Sequence, residues 1–471
     1  MRGPLVALVV FFACAAPAWA GGPYMLVGAA DDVVEQPSLA AAKLEVDKEK
    51  LAGLDAIRIS ATWRTGQRVP TAGQENVLDN AIDAAQFGGM RVIISIYPFG
   101  SSVTPLTDSA RSDFAAFAVA LAKRYPLLHD FIIGNEPNLN RFWLPQFGPN
   151  GEDVAAPAYE QLLATTYDAL KAVRPHSTIY GGALAPRGID RPGSGRDTHS
   201  PTAFIADLGA AYKATGRAVP IMNAFAIHPY PENSSIGPDF AHPNSTPIGL
   251  ADYDKLVGLL GAAFDGTAQP GSSLPILYDE FGIETQIPAS KASLYTGHEP
   301  ATTKPVDEAT QARMYQEAMS MAFCQKTVLG LLLFHFQDER SLLAWQSGEF
   351  YVDGTPKSSL AGVRAGAASV HRGIAATCAG MQLTPKLTLV PAARTTSAGL
   401  SVKLTCSLDC SYTVRLDAGG TLKGTAIGGS PKTVLFHGRI AAGAHTLTGT
   451  ATAAMNAGPP GTAHVAFALP G

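Results

Sequence analysis

The sequence has few charged residues and no basic run. Charged residues make up 16% of its 471 residues, and the formal net charge is −4. A nucleic-acid-binding domain usually carries a dense basic patch, so we expect no nucleic-acid partner. No Gly-x-Gly-x-x-Gly follows the first predicted strand, which argues against an open dinucleotide-binding sheet. No Gly-x-Ser-x-Gly occurs either, which argues against an acyl hydrolase.

Cysteine is also scarce, with five in the whole chain, and Cys14 falls in a predicted leader peptide. The remaining four are an even number in a chain predicted to be exported, which favours disulfides. Cys324 and Cys378 fall in the last elements of the main predicted domain, so we pair them. Cys406 and Cys410 would close a short loop in the C-terminal module. No histidine–cysteine cluster has the spacing of a metal site, so we expect neither a metal nor another cofactor.

A long run that is both uncharged and strongly apolar occurs at the N-terminus, and no later segment is long and apolar enough to span a bilayer. Residues 1–20 combine Arg2, an apolar stretch over 5–13 and an Ala-Trp-Ala end at 18–20. This pattern is typical of a signal peptide, so we expect mature protein to begin near Gly21 and to be secreted, extracellular or periplasmic. An uncleaved membrane anchor is the alternative, although the run is marginal for spanning a bilayer. After cleavage, no stable membrane association is expected.

From residue 24 onwards, strand and helix patterns alternate eight times. Such alternation predicts a parallel sheet whose strands are joined by helices. Every long loop follows a strand rather than a helix, which would place a deep site at one rim of a closed barrel. We therefore predict an α/β fold in which residues 21–380 form a (β/α)8 TIM barrel.

Residues 381–471 have a different composition, with no tryptophan and a single tyrosine, Tyr412. Six short segments alternate apolar and polar residues, which is typical of antiparallel strands. We predict a small C-terminal antiparallel β-sandwich as an accessory domain. Sugar-binding modules stack sugars on flat aromatic faces, and this module has few of them, so we favour a structural appendage over a carbohydrate-binding module.

Two acidic residues end predicted strands of the barrel. One apolar run stops at Gly134 and is followed by Asn135-Glu136-Pro137, and a second run leads into Asp279-Glu280-Phe281-Gly282. Catalytic residues of such barrels lie at the carboxyl ends of strands. Glycoside hydrolysis needs one carboxylic acid to protonate the leaving oxygen and one carboxylate to attack or stabilise the sugar. Glu136 and Glu280 are therefore candidates for this pair.

Asn-Glu-Pro after one strand and Glu-Phe-Gly ending a later strand resemble the motifs of clan A glycoside hydrolases. These are retaining (β/α)8 barrels that include cellulase-like and xylosidase-like families, and the resemblance covers about residues 24–378. It implies that Glu136 is the acid/base, that Glu280 is the nucleophile and that Asn135 binds the sugar 2-hydroxyl. Solvated loop carboxylates and a turn-forming asparagine are the alternatives.

The resemblance also implies roles for residues on two other strands. Arg58, within the second strand, would keep the nucleophile ionised, with a barrel-floor ion pair as the alternative. His228 would lie near the acid/base, and Tyr230 would bond the nucleophile. A packed histidine and an exposed tyrosine are the alternatives for these two.

The sequence departs from the clan at three strand ends. Gly134 stands where many relatives have tryptophan, and the third strand ends in Tyr97 rather than in the histidine of one large family. The eighth strand lacks the tryptophan that in the clan commonly forms the floor of the sugar site, and Trp345 or His335 would substitute for it. We include Tyr97, His335 and Trp345 among the candidate substrate-binding residues.

Trp63 and Trp143, like Trp345, fall in or near loops at the predicted rim. Their rings would either stack on sugar faces or pack within the loops. Three aromatic residues at one rim favour a carbohydrate cleft.

These patterns predict a secreted retaining glycoside hydrolase that cleaves O-glycosidic bonds, of the β type, in a polysaccharide or oligosaccharide. An exo-acting glycosidase on short glycosides is the nearest alternative. A barrel that binds glycan without cleaving it is the alternative from another class, and the presence of both glutamates counts against it. Carbohydrate is the expected partner in each case.

Overall fold

The computed structural model describes residues 21–470, so the predicted signal peptide at 1–20 lies outside the described residues. Its first domain is a closed barrel of eight parallel strands, in which each strand pairs with the next and the eighth pairs with the first. The predicted (β/α)8 fold is confirmed. The strands are β1 (Leu26–Ala30), β2 (Ala56–Trp63), β3 (Arg91–Pro98), β4 (Asp130–Ile133), β5 (Thr178–Leu184), β6 (Ala224–Ile227), β7 (Ile276–Phe281) and β8 (Val328–Phe334).

One long helix follows each barrel strand. Local sequence sets several helix starts, since side chains of Ser38, Thr71 and Ser200 accept backbone N–H groups of the first turn. Within residues 21–470, none of the helices combines the length and hydrophobicity needed to cross a membrane. The helices are α1 (Leu39–Leu51), α2 (Ala72–Phe87), α3 (Asp108–Arg124), α4 (Ala155–Val173), α5 (Pro201–Thr215), α6 (Tyr253–Phe264), α7 (Glu308–Cys324) and α8 (Leu360–His371).

Alternation along the strands separates two layers of the core. On β2, Ile57 and Ile59 belong to the large cluster between the strands and the helices. Arg58 lies between them in the chain, so its side chain points to the opposite face, which is the barrel interior. The interior below the site is filled by a small apolar cluster that includes Ile93, Ile132 and other strand residues. A polar side chain on an inward position near the rim therefore faces the mouth of the barrel.

The second domain consists of two antiparallel sheets, with strand orders β13-β10-β9 and β12-β11-β14-β15. The predicted β-sandwich is confirmed, with seven strands instead of six. The additional strand, β12, lies at a sheet edge and is mostly exposed, so its sequence lacks a clear apolar face. The strands are β9 (Leu387–Pro391), β10 (Gly399–Cys406), β11 (Cys410–Leu416), β12 (Thr421–Ala426), β13 (Lys432–His437), β14 (Gly443–Ala453) and β15 (Gly461–Leu469).

Both predicted disulfides are present. Cys324–Cys378 joins the end of α7 to the segment after α8, and Cys406–Cys410 closes the turn between β10 and β11. The sandwich contacts the barrel through a bidentate ion pair between Arg372 and Asp409, at 2.7 and 2.9 Å. Because Arg372 follows α8, which runs antiparallel to the strands, this contact lies at the amino-terminal end of the barrel, away from the rim that carries the site.

Candidate active site

A cavity of about 280 Å³ opens at the carboxyl ends of the barrel strands. Strands β1, β2, β3, β7 and β8 and the segments after β1, β4, β6 and β8 supply its walls. The location agrees with the expectation from loop lengths, since catalytic sites of such barrels lie at this rim. Eight of the eleven residues predicted for catalysis or substrate binding line the cavity: Arg58, Tyr97, Asn135, Glu136, Tyr230, Glu280, His335 and Trp345.

Glu280, in β7, is held by a donor on each of its two oxygens. Arg58 Nη1 donates to Oε1 at 2.5 Å, and Tyr230 Oη donates to Oε2 at 2.9 Å. Burial opposes the charge of Arg58, but Glu280 and the neighbouring Asp279 raise the pKa of the guanidinium, so it stays a cation. Burial and the adjacent Glu280 raise the pKa of Tyr230 well above 10, so its hydroxyl keeps its proton and donates. Two charge-assisted bonds of this kind stabilise an ionised carboxylate in a fixed orientation.

Glu136 follows β4 in an unusual backbone conformation, with φ of +43°. Its N–H donates to Ala183 O on the neighbouring strand at 2.8 Å, and its Oε1 lies 3.0 Å from His228 Nδ1. The side chain of Glu136 is 16% exposed and that of Glu280 is 10% exposed. Left-handed backbone at a non-glycine residue costs free energy and is often found at functional sites. In this backbone conformation the carboxylate of Glu136 lines the cavity.

His228 lies beneath the two glutamates and contacts three carboxylates. Its Nε2 lies 3.3 Å from Asp279 Oδ2, while Nδ1 faces Glu136 at 3.0 Å and Glu280 at 3.3 Å. Burial alone would lower the pKa of His228, but Glu280 and Asp279 raise it to about 10. The ring is therefore an imidazolium at neutral pH, with both nitrogens acting as donors. Because His228 is fully buried, it orients Glu136 without lining the cavity.

Asn135 and Gly134 depend on close packing at the end of β4. Asn135 Oδ1 accepts from Arg58 Nη2 at 3.0 Å, which orients the amide at the cavity wall. Gly134 has φ of +94°, and a Cβ there would lie 2.8 Å from Cε2 of Tyr159. A side chain at position 134 would therefore displace the Tyr159 ring. This contact gives a physical reason for the glycine at position 134.

One wall of the cavity is aromatic. The Trp345 ring lies 4.8 Å from the Tyr230 ring at 31° and meets Phe334 edge-on at 5.2 Å. The expectation that Trp63 and Trp143 share this role is corrected by the structure, because their rings are 0% and 1% exposed. Trp63 lies on the helix-facing side of β2 against Phe114 and Trp143 packs on Tyr159 of α4, so neither reaches the cavity.

Another part of the lining is polar. His335 has φ of +59°, and its ring lies 3.4 Å from Asp31 and 3.6 Å from Glu339. Burial would lower the pKa of His335, but the bond to Asp31 raises it to about 8. Burial and nearby Asp32 raise the pKa of Tyr97 to about 12, so its phenol is neutral. Both residues can donate hydrogen bonds to a hydroxylated ligand.

Sequence analysis missed several residues of the site. Asp279 was passed over, although two consecutive acids at the end of an apolar strand are a signal, and only the structure shows that it supports His228. Phe142 lines the cavity, whereas its neighbour Trp143 was the one predicted. Asp31 and Asp32 also line it and show the same signal, since they are consecutive acids directly after the apolar strand β1, whereas nothing in the sequence separates Arg141 from ordinary loop residues.

Glu136, His228 and Glu280 offer donor atoms within 4.8 Å of one another, the spacing of a metal site. The chemistry does not fit a metal ion. Nδ1 of His228 already faces Glu136 at 3.0 Å, and both oxygens of Glu280 already accept hydrogen bonds from Arg58 and Tyr230. In the part of the chain that the structure describes, these three residues are the only such cluster.

Comparisons with known proteins identify the fold. No protein-family model matches the sequence, and no curated protein is similar to it. Among solved structures, a family 39 glycoside hydrolase from the gut symbiont Bacteroides cellulosilyticus WH2 aligns over 95% of this chain and 80% of its own, with a TM-score of 0.52 and 16% identity. This similarity shows a shared fold.

Two further structures align less closely. A GH39 enzyme from Xanthomonas axonopodis pv. citri covers 85% of this chain and 81% of its own, at a TM-score of 0.47 and 14% identity. A GH39 β-xylosidase from Caulobacter crescentus covers 85% and 84%, at a TM-score of 0.45 and 16% identity.

Proposed function

We propose that this protein is a retaining glycoside hydrolase that cleaves O-glycosidic bonds of carbohydrates by double displacement. The observation that carries the proposal is the pairing of Glu136 and Glu280, whose carboxylate oxygens come within 4.8 Å across the cavity. Retaining enzymes keep their two carboxyl groups ~5–5.5 Å apart, and inverting enzymes keep them ~6.5–9.5 Å apart to admit water. The fold shared with a family 39 glycoside hydrolase supports the proposal.

Glu280 is the nucleophile. Arg58 and Tyr230 each donate to one oxygen of its carboxylate, and the carboxylate so oriented can attack the anomeric carbon. As the new ester bond forms, the bond from the anomeric carbon to the leaving oxygen breaks, and its electron pair goes to that oxygen. Arg58 and Tyr230 also fix the carboxylate in position, so little reorganisation is needed when it reacts.

Glu136 is the acid/base. His228 holds Oε1, which leaves Oε2 to carry the proton that passes to the leaving oxygen in the first step. In the second step the same carboxylate takes a proton from water as the water attacks the glycosyl-enzyme. The greater exposure of Glu136 suits this role, since its proton must exchange with solvent between turnovers.

The remaining walls of the cavity bind the sugar. Asn135 is placed to bond the 2-hydroxyl, a contact that strengthens in the transition state. The Trp345 ring offers an apolar face for the sugar ring, and Tyr97 and His335 offer donors to hydroxyl groups. Together the aromatic and polar walls favour a hydroxylated ring over a purely apolar ligand.

The size of the cavity favours exo-action. About 280 Å³ lies just below the ~300–1,000 Å³ range of small-molecule pockets, which suits a chain end or a short glycoside more than a long internal stretch of polymer. A panel of aryl glycosides and oligosaccharides, with products resolved by chain length, tests this point. Release of single sugars from chain ends is expected, and an early mixture of mid-length products would contradict it.

We also propose that the protein is exported, because residues 1–20 have the pattern of a signal peptide and the chain contains two disulfides. The mass of protein recovered from the culture medium or periplasm should correspond to a start near Gly21, with four hydrogens gained on reduction. Four free thiols in the unreduced protein, or a retained leader, would contradict it.

Proton NMR of the first hydrolysis product tests the reaction itself. The wild-type protein should release a sugar with the anomeric configuration of the substrate, because two inversions restore it. Initial formation of the opposite anomer would establish a single displacement. No turnover by folded protein on any glycoside of a broad panel would favour a barrel that binds glycan without cleaving it.

A further inference from the structure

A second group of ionisable side chains, outside the cavity, holds the loop that carries Tyr230. This loop spans residues 228–249, between β6 and the short 3-10 turn before α6, and His242 lies near its far end with 8% of its surface exposed. The imidazole contacts a carboxylate through each nitrogen. Nδ1 lies 2.7 Å from Asp252 Oδ2, and Nε2 contacts Glu232 Oε1. A neutral imidazole has one N–H, so only the imidazolium can donate to both carboxylates.

We refer to Glu232, His242 and Asp252 as the clasp. Asp252 also accepts the N–H of His242 at 2.6 Å and the N–H of Gly249 at 2.8 Å. Lys255, on α6, donates to the carbonyl of His242 at 3.0 Å. These bonds tie the His242 end of the loop to α6. Glu232 is the point at which the clasp reaches the other end of the loop.

Glu232 is two residues from Tyr230, with Pro231 between them. Proline fixes φ, so the backbone between these residues has little freedom to absorb a displacement. Arg187 Nη1 donates to the carbonyl of Tyr230 at 3.1 Å, which restrains the same segment from the β5 side. The Tyr230 hydroxyl then donates to Glu280. A continuous set of contacts thus joins His242 to the carboxylate proposed as nucleophile.

We propose that His242 is a positioning residue, which holds Glu232 so that the loop keeps Tyr230 in the conformation that bonds Glu280. The consequence for turnover rests on the proposed hydrolase function, whereas the order of the loop can be measured without it. His242 itself touches neither the cavity nor its ligand.

The clasp makes loop order dependent on pH. The charged groups that face the imidazole or its partners are Glu232 on the loop, Asp252 on the 3-10 turn, Lys255 on α6 and Arg187 after β5. Burial would lower the pKa of His242, but the bonds to Glu232 and Asp252 raise it. When the proton is lost as the pH rises through this raised pKa, one carboxylate faces a ring lone pair instead of a donor. The loop should then loosen.

Hydrogen exchange of peptides within 229–249 tests the clasp in the full-length protein. His242→Gln, which can donate to only one carboxylate, should lower protection of these amides by about tenfold, the scale of one lost charge-assisted bond. Protection in the wild type should fall as the pH rises, whereas protection in His242→Gln should not change with pH. His445→Gln is the matched control, because His445 also bonds an aspartate, Asp417 at 3.1 Å, but lies in the sandwich.

A second variant covers the case in which His242→Gln fails to fold. Glu232→Gln changes a side chain that is 32% exposed and keeps its acceptor oxygen. Loss of this negative charge should move the pH at which loop protection falls to a lower value. If both variants show wild-type protection at every pH, the clasp does not hold the loop and the inference is wrong.

Kinetics separate the inference from the proposed function. His242→Gln should lower kcat with little change in KM, because Tyr230 contacts the nucleophile. If the wild type hydrolyses glycosides and His242→Gln does so at the same kcat, the positioning role is refuted. If the wild type hydrolyses none, the proposed function fails, and the protection data alone then decide whether the clasp exists.

Discussion

Replacing the two glutamates one at a time should produce two different defects, each rescued by azide with opposite stereochemistry. Glu280→Ala removes the group that would form the glycosyl-enzyme, so turnover should be abolished. Azide can then enter the vacated space and attack the anomeric carbon directly, giving a glycosyl azide of inverted configuration. The assay is proton NMR of products formed from an activated aryl glycoside with and without azide.

Glu136→Ala should behave differently. Loss of the general acid should cost about 10²–10⁴-fold on a substrate with a poor leaving group, and much less when the leaving phenol needs no proton. The glycosyl-enzyme then accumulates, because water lacks its general base. Azide needs no deprotonation, so it should release the sugar with retained configuration.

The structure also predicts how the two variants differ in stability. Among the described residues, the side chain of Glu136 is hydrogen-bonded only to the His228 ring, which also contacts Asp279 and Glu280, so its loss should cost little. Loss of Glu280 leaves the buried guanidinium of Arg58 with Asp279 at 3.8 Å as its nearest carboxylate. Removing one partner of a buried ion pair costs about 3–5 kcal/mol, so circular dichroism must show that Glu280→Ala is folded.

Glu317→Ala is a suitable control, since Glu317 is a partly exposed residue on α7 that pairs with Arg313 outside the cavity. It should retain wild-type rates. The proposed mechanism is refuted if both active-site variants keep wild-type rates on a natural glycoside. The assignment of roles is refuted if both rescues give the same anomer.

Three further results are expected. Tyr230→Phe removes the hydrogen bond from the Tyr230 hydroxyl to the charged oxygen of Glu280, which is worth about 1.5–3 kcal/mol. The value of kcat should therefore fall by about tenfold to hundredfold while KM changes little. An unchanged kcat would contradict the role of the hydroxyl. Glu49 and Glu349 are fully buried without hydrogen-bond partners for their carboxylates, and burial raises the pKa of each well above 4.5. The stability that depends on these two protonated carboxyl groups is fully present below pH 4.5 and is lost as the pH rises through their folded-state pKa values. A variant with glutamine at both positions cannot ionise there, so its Tm should exceed that of the wild type by an amount that grows from pH 5 to pH 8. The same dependence of Tm on pH in both proteins would contradict this. A chain ending near residue 380 should still hydrolyse an aryl glycoside. It should unfold at a lower temperature, because it loses the ion pair between Arg372 and Asp409. Loss of activity in a folded truncated chain would show that the sandwich is needed for chemistry.

The large architecture was predictable because its signals are local. Buried parallel strands are short apolar runs, and each ends where Gly, Pro or a polar residue interrupts the pattern, as at Gly134. Alternation of strand and helix then restricts the topology to few solutions, of which the barrel is one. Local pattern failed for the edge strand Thr421–Ala426, whose exposed faces carry no apolar alternation.

Alternation along β2 predicts which side of the barrel wall Trp63 faces. Trp63 is an even number of residues from Ile57 and Ile59, so it shares their helix-facing side, whereas Arg58 shares the inward side. The burial of Trp63 therefore follows from the alternation of residues along β2. Trp143 has no such pattern, because it lies in a loop whose path depends on packing against Tyr159.

The sequence by itself determined which residues stand at the ends of the strands, and hence that Glu136 and Glu280 reach the same rim. It did not determine which of them meet. Arg58 and Glu280 are 222 residues apart, and their contact depends on barrel closure and on the stagger between strands, which no local pattern encodes. The protonation of His228 was likewise decided by the tertiary structure, because three carboxylates from two other strands surround a ring that burial alone would leave neutral.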